Sequence, residues 1–436
     1  MTKMFNPKII LTLILLMGIL LIYFNLAIVP AQAIQGATYL SFQETLSGQT
    51  NSKYAVINNS NIQINTIHNE TAPCAVTSAK MVRDSQKMNF IFSKLCYFNW
   101  GDIRIMYKNE NTLNLPPEIV PFPYGVGYLS NFNGLFFYTP DAALGPNDEI
   151  YVASLARNYS QGQMIDERIM ISKRSANGWG PAVTLLQLPS LSPMRDVSLR
   201  FDGGSNGHLF YQRFTNSSCF GANCPRAVYE LVFSPSTFNV ISNTKIMDFV
   251  GLTPEVFSLK ALQNSAGRYY NGLGFLNFVD SSMPYNLYVQ FSKSGSNGWS
   301  SQPLTVSVVS PLYIHATSLD LELDSDKNIQ FVASEKNIQV GVAKISLFTS
   351  TNSGQSWTQS TILSSSTDQY RDVNLITKNR GKNKEFNIAY TKANFGNVFN
   401  FNQLYIIKRS ARGTQVNTLV YQNPIGADIF IGDLLV

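Results

Sequence analysis

Along most of this chain, short apolar runs break off in serine and are followed by a polar turn. The clearest runs are Ile169-Met170-Ile171-Ser172, Leu231-Val232-Phe233-Ser234, Val289-Gln290-Phe291-Ser292, Leu347-Phe348-Thr349-Ser350 and Lys408-Arg409-Ser410. From serine to serine the steps are 62, 58, 58 and 60 residues. Each run has strand length and is bounded by Asn, Gly and Ser, which favours strand over helix. An aromatic residue closes most of the turns, as in Asn177-Gly178-Trp179, Asn297-Gly298-Trp299 and Gly354 to Trp357. Phe238 takes that place once, and the copies at Ile103–Tyr107 and Arg409–Gly413 have lost it.

A second series of apolar runs keeps the same period. It begins near Pro73, Phe132, Arg195, Pro254, Thr317, Arg371 and Ala427. Most of these runs lead into a turn-rich stretch and then into another strand, such as His208–Phe214, Ile329–Ala333 or Phe386–Tyr390. Each unit therefore reads strand, hairpin, strand, longer loop, strand, tight turn, strand. No stretch after residue 33 has helical periodicity.

A four-stranded unit repeated at this length predicts an all-β fold, a β-propeller of four-stranded blades. One such unit cannot bury both of its faces, whereas radial stacking of several can. Seven openings predict seven blades, and six remain if Asp428 to Val436 only extends an edge. Asp428-Ile429-Phe430-Ile431 has no partner strands after it. The strands near Thr38–Leu46, Lys53–Ile57 and Ile62–Ile67 have none before them. Pairing the two ends closes the ring in one blade and removes an open sheet edge. The trailing tryptophans Trp179, Trp299 and Trp357 are expected to be mostly buried between blades.

The turn Ser350-Thr351-Asn352-Ser353-Gly354-Gln355-Ser356-Trp357 resembles the Asp-box of sialidase-like, BNR-repeat β-propellers, Ser-x-Asp-x-Gly-x-x-Trp, with Asn352 in place of Asp. In that family the box joins the third and fourth strands of a blade, so the resemblance implies the same here. Sialidases also carry an Arg-Ile/Leu-Pro motif, which this chain lacks. Because Asp-boxes occur in many non-catalytic propellers, the resemblance carries over no catalytic residue.

Only 14% of residues are charged and 44% are hydrophobic, which supplies a core and argues against disorder. The formal charge is +6, and removal of residues 1–33 would leave +4, too little and too scattered to imply a nucleic-acid partner. Lys3 and Lys8 precede an uncharged, mostly apolar run from Ile9 to Val29, and Ala31-Gln32-Ala33 follows. That order reads as a signal peptide cut after Ala33, with an uncleaved N-terminal membrane anchor as the alternative. Residues 34–436 are then expected to form one propeller domain, secreted or held at the cell envelope, touching a membrane only through an uncleaved N-terminal segment.

Four cysteines in an exported chain permit disulfides, Cys74 with Cys96 and Cys219 with Cys224. No Cys-x-x-Cys occurs and only three histidines exist, so neither a metal nor a cofactor is expected. Gly203-Gly204-Ser205-Asn206-Gly207 matches a nucleophile-elbow pattern by letters, but no helix follows it. Asp324-Ser325-Asp326-Lys327-Asn328 has the opening of a calcium loop without its glycine or late glutamate. Both stretches read as hairpin turns.

The charged residues at the inner-strand starts carry the functional expectation. Arg195-Asp196 and Arg371-Asp372 occupy equivalent places in the repeat, with Glu255, His315, Asp320 and Asp428 at or near the same place in other units. Converging at one mouth of the ring, they could bind a ligand. Recurring with the period, they could equally tie one blade to the next. The first expectation is an exported, non-catalytic propeller binding a glycan or a protein at one face. The alternative is a sialidase-like glycoside hydrolase acting on extracellular glycans.

Overall fold

The computed structural model describes residues 37–435 apart from short stretches between strands, the longest being 124–133, 216–225 and 309–318. The expected signal segment, Cys219, Cys224, His315 and the turn 324–327 lie outside the described residues. No α-helix occurs among the described residues, and two single-turn 3₁₀ segments are the only helical pieces there. The described residues form seven antiparallel sheets.

The first sheet joins Thr38–Leu46, Gln49–Asn58 and Asn61–Thr71 to the last strand of the chain, Asp428–Leu435. The second is built on Met88–Cys96 and Asp102–Asn109, with Cys74–Val76 and Lys80–Arg83 both pairing to Met88–Cys96. The third centres on Ile150–Ser160 and Gln163–Ser175 and opens with Gly134–Phe137 and Asp141–Leu144. The fourth runs from Met194–Phe201 to Val240–Phe249, and the fifth from Glu255–Gln263 to Leu304–Val308. The sixth runs from Leu319–Leu323 to Thr358–Ser365, and the seventh from Asp368–Arg380 to Gln415–Gln422.

The expected pairing of the last strand with the first is present. Tyr39 faces Leu435, and the register runs to Thr45 opposite Asp428. Each sheet's opening strand lies against the next. Lys80–Arg83 touches Asp141–Leu144, which touches Met194–Phe201, and the contacts continue through Glu255–Gln263, Leu319–Leu323 and Asp368–Arg380 to Asp428–Leu435. That last strand in turn lies against Lys80–Arg83.

The packing explains the sequence pattern. Middle strands are covered on both faces, so Ile150–Leu155 is buried without a break. Strands at the outer edge, such as Val183–Pro189, bury only scattered residues. Apolar clusters fill the spaces between sheets. Leu199, Leu209, Tyr211 and Phe233 of the fourth sheet pack with Tyr151, Ile169 and Ile171 of the third. Ile388 and Tyr390 of the seventh pack with Ile345 and Leu347 of the sixth.

Carboxylates supply a second tie, one that hydrophobic patterning does not foresee. Asp141 accepts the backbone N–H of Leu199 at 2.8 Å, Asp320 that of Leu375 at 2.8 Å, and Asp433 that of Met81 at 3.0 Å. Each bond crosses from one opening strand to its neighbour. Such N–H groups are buried and need an acceptor. A carboxylate makes a strong one.

The tryptophans correct the sequence expectation in part. All three are half-buried rather than buried. Trp179 meets Tyr107 of the second sheet edge-on at 5.6 Å. Trp299 meets Phe210 of the fourth at 5.8 Å and donates its indole N–H to Glu230 at 2.6 Å. Trp357 instead packs within its own sheet, 5.0 Å from Phe331. In its turn, the Asn352 side chain accepts from the backbone N–H of Ser356 and from the Ser350 hydroxyl, both at 2.9 Å. An amide thus does the turn-bridging that a carboxylate would do in the resembled motif. The turn joins the third and fourth strands of the sixth sheet, as the resemblance implies. Cys74 and Cys96 are disulfide-bonded.

Candidate active site at the seventh and first sheets

The site begins with a break in strand pairing. Arg371 pairs with Thr391, but the next registered pair is Asn374 with Ala389, so the opening strand of the seventh sheet carries one extra residue. Asp372 sits in this bulge at φ 52. That left-handed conformation is costly for any residue with a Cβ and is best tolerated by Asn and Asp. Bulges re-aim side chains where a strand meets a site.

Arg371 is held from several directions. Its guanidinium lies 4.2 Å from the Phe401 ring centroid and 4.4 Å from that of Phe430. Its Nε donates to Asp372 Oδ2 at 3.2 Å, and an Nη donates to the carbonyl of Ile429, also at 3.2 Å. The same group stands 3.5 Å from Asp428 Oδ1. Asp428 accepts the backbone N–H of Phe401 at 2.7 Å, and Ile429 donates to the Phe401 carbonyl at 2.9 Å. Three segments distant in sequence are therefore locked around one cation: the seventh sheet's bulge, the connection at Phe401 and the chain's last strand.

Asp372 is the chemically distinctive group. Protein atoms surround its carboxyl closely, although 23% of the side chain remains exposed. Burial pushes it up from the usual carboxylate range to about 6. Arg371 opposes that rise, and the neighbouring negative charge of Asp428 adds to it. A carboxyl in this state both gives and takes a proton near neutral pH. Two carboxyl groups beside one fixed cation can perform acid–base chemistry on a glycosidic bond.

Of the residues expected from the sequence, the structure brings Arg371, Asp372 and Asp428 together. Arg195 and Asp196 open the fourth sheet at an equivalent bulge, where the register passes from Arg195 with Gln212 to Val197 with Tyr211. Glu255 opens the fifth sheet. Among the described residues no three His, Cys, Asp or Glu side chains could hold a metal ion together.

Sequence reasoning missed Phe401 and Phe430, because a cation held between two rings is invisible along the chain. It also missed a constellation that occurs twice. In the seventh sheet Tyr390 and Tyr405 stack at 5.4 Å, Lys392 lies 5.3 Å from the Tyr405 ring, and Tyr390 bonds Asn417. In the fourth sheet Tyr211 and Tyr229 stack at 5.4 Å, Arg213 lies 5.0 Å from the Tyr229 ring, and Tyr211 bonds Asn243. Burial pushes Tyr211 up to about 12 and raises Tyr390 as well. Both hydroxyls thus stay protonated and serve as packing and hydrogen-bonding groups. Comparing the two halves of the sequence would have exposed this duplication.

No family model and no curated protein matches the chain in sequence. Solved structures resemble it in architecture. A polysaccharide lyase, an ulvan lyase, is 11% identical, with 88% of this chain and 92% of that one covered at a TM-score of 0.45. A K499G mutant of the NanB sialidase from Streptococcus pneumoniae is 8% identical, covering 88% of both chains at 0.43. An α-L-arabinanase from Penicillium chrysogenum is 11% identical, covering 71% of this chain and 91% of that one at 0.41. The expectation of a non-catalytic binding protein is contradicted by these neighbours, which are a lyase, a sialidase and an arabinanase.

Proposed function

We propose that this chain is an enzyme acting on glycans, a glycoside hydrolase whose site lies where the seventh sheet meets the first. The observation carrying this reading is Asp372. A strained, enclosed carboxyl with a raised pKa, sharing a fixed arginine with Asp428, is suited to acid–base chemistry. Its neutral form donates a proton to the leaving oxygen of a glycosidic bond. Asp428 supplies the second carboxylate that such hydrolysis needs. Arg371 holds the two in register, and its planar guanidinium between two rings has little freedom to move.

The scaffold in this reading is a ring of seven four-stranded blades, closed by pairing of the last strand with the first. The circuit of contacts between opening strands supports it. All the opening strands then point their starts at one mouth, which holds the site. Export through residues 1–33 belongs to the same reading, because a polysaccharide substrate is met outside the cell.

A panel of fluorogenic glycosides tests the reading on the wild-type chain, Asp372→Asn and Asp428→Asn. At least one glycoside should be turned over, faster below pH 6 than above it, with both variants losing at least a hundredfold. Full activity of Asp372→Asn, or no turnover of any glycoside, would sink it.

A further inference from the structure

Asp372 stands next to an arginine, yet burial keeps it raised to about 6. An unrestrained guanidinium beside a carboxylate closes on it with two parallel N–H bonds and holds it ionised. Arg371 does not. It gives Asp372 a single N–H, from Nε to Oδ2 at 3.2 Å. One Nη is drawn elsewhere, to the Ile429 carbonyl at 3.2 Å and to within 3.5 Å of Asp428 Oδ1. Other charges nearby are already engaged: Lys392 with Asp368 at 3.4 Å, and Lys336 of the sixth sheet with Gln369 at 2.6 Å. The charges that act on Asp372 are Arg371, which opposes its rise, and Asp428, which adds to it.

Phe401 fixes Arg371 in this half-engaged pose. The residue is 4% exposed, and its ring centroid lies 4.2 Å from the guanidinium. Phe430, half-buried, lies against the same group at 4.4 Å. Phe401 is itself anchored through both backbone groups. Asp428 accepts its N–H at 2.7 Å, and its carbonyl takes the Ile429 N–H at 2.9 Å. Next along, the Asn402 carbonyl accepts the backbone N–H of Asn423 at 2.8 Å, and the Asn402 side-chain amide donates to the Asn423 carbonyl at 3.2 Å. A planar cation lying on a ring so fixed has few directions in which to swing.

We propose that Phe401 is a positioning residue of this site, holding the Arg371 guanidinium to a single contact with Asp372 and barring the two-bond pair. Its consequence for catalysis rests on the hydrolase reading above, whereas the clamp is a property of the folded chain. With the ring gone, Arg371 turns its Nε–Nη edge fully onto Asp372. The carboxyl then ionises at lower pH, and its proton-donating form is lost earlier as pH rises. Phe401 thus acts on the acid through Arg371.

The test follows the Asp372 carboxyl itself. The full chain is labelled with carbon-13 at its aspartate carboxyls, and the Asp372 signal is assigned by its loss in Asp372→Asn. Phe401→Leu keeps an apolar group without a ring and should lower the Asp372 titration midpoint by about one pH unit or more. Phe401→Tyr keeps the ring and should hold the wild-type midpoint. In an Arg371→Gln background, where no guanidinium remains, adding Phe401→Leu should move nothing. An unmoved midpoint in Phe401→Leu overturns the proposal even where its melting point falls, because a merely structural ring alters stability alone. An equal drop in Phe401→Tyr, or in the Arg371→Gln background, overturns it as well. Should Phe401→Leu not fold, Phe430→Leu loosens the same clamp from its half-buried side. Its midpoint should fall in the same direction, and no fall counts against the proposal. Hydrolysis keeps the two readings apart. Where the wild type turns over a glycoside, the basic limb of the kcat profile should move down with the Asp372 midpoint in Phe401→Leu. A lowered midpoint in a chain that hydrolyses no glycoside leaves the clamp standing and sinks the hydrolase reading.

Discussion

The fourth and seventh sheets start from nearly the same local sequence, Arg-Asp-Val, and reach the same backbone device. Each opening strand bulges at its Arg-Asp pair, and each receives a carboxylate bond from the preceding sheet, at Leu199 or Leu375. Each carries a stacked tyrosine pair with an asparagine behind it. What separates them is the next strand along. Beside the seventh sheet lies the chain's last strand, which brings Asp428, Phe430 and the carbonyl of Ile429 around Arg371. The scaffold is thus a repeated frame, and its two copies diverge where one neighbour adds an acid and a ring.

The sharpest test of that contrast is catalytic. Asp372→Asn should lower kcat by about 10²–10⁴-fold, the range for loss of a general acid. Asp196→Asn should change it less than tenfold. Comparable losses at both positions would erase the distinction between the two sheets.

The shared frame predicts equal structural roles. Tyr211→Ala and Tyr390→Ala should each cost about 3–5 kcal/mol in denaturant unfolding, as for other large buried aromatics. A difference of more than about 2 kcal/mol between them would show that the repeat is only superficial.

The pH dependence of stability comes next in size. The folded state holds a proton on Asp372 up to about pH 6, whereas the unfolded chain releases it near 3.8. Between those values the folded state binds more protons, so this group's contribution is fully present below about pH 4 and is lost as pH rises through 6. The loss is at most about 3 kcal/mol. Melting curves from pH 4 to 7 should show Asp372→Asn gaining on the wild type as pH rises. If the two curves run parallel, the carboxyl is not enclosed as described.

The smallest effects concern the asparagines. Asn243→Ala and Asn417→Ala each remove the asparagine's hydrogen bonding to a buried tyrosine and should cost about 1 kcal/mol. Chemical denaturation resolves that difference.

These contrasts also mark what a reader of the sequence can and cannot recover. The strand order, the period and the pairing of the two ends were legible, because a strand covered on both faces must be apolar and its turns must be polar. The equivalence of Arg195-Asp196 and Arg371-Asp372 was legible for the same reason. Their different surroundings were not. Phe401 comes to Arg371 from a connection and Phe430 from a strand numbered 59 places later, and no spacing rule relates either to position 371. Asp320 was legible only as a charge near an inner-strand start. Its bond to Leu375 shows a tie between sheets, a role that period and charge alone could not separate from ligand binding.

The pairing of Thr38–Leu46 with Asp428–Leu435 has a consequence for the making of the protein. The strand synthesised first among those described waits for the one synthesised last. At ordinary elongation rates of about 5–20 residues per second, that wait lasts roughly twenty seconds to over a minute. During that interval Thr38–Leu46 offers an unpaired edge to any other strand, including the same strand on a neighbouring nascent chain. The carboxyl pair of Asp372 and Asp428 beside Arg371 is also incomplete until then, since Asp428 arrives with that strand. A product truncated before Asp428 would have neither the pairing partner of Thr38–Leu46 nor the cluster around Arg371.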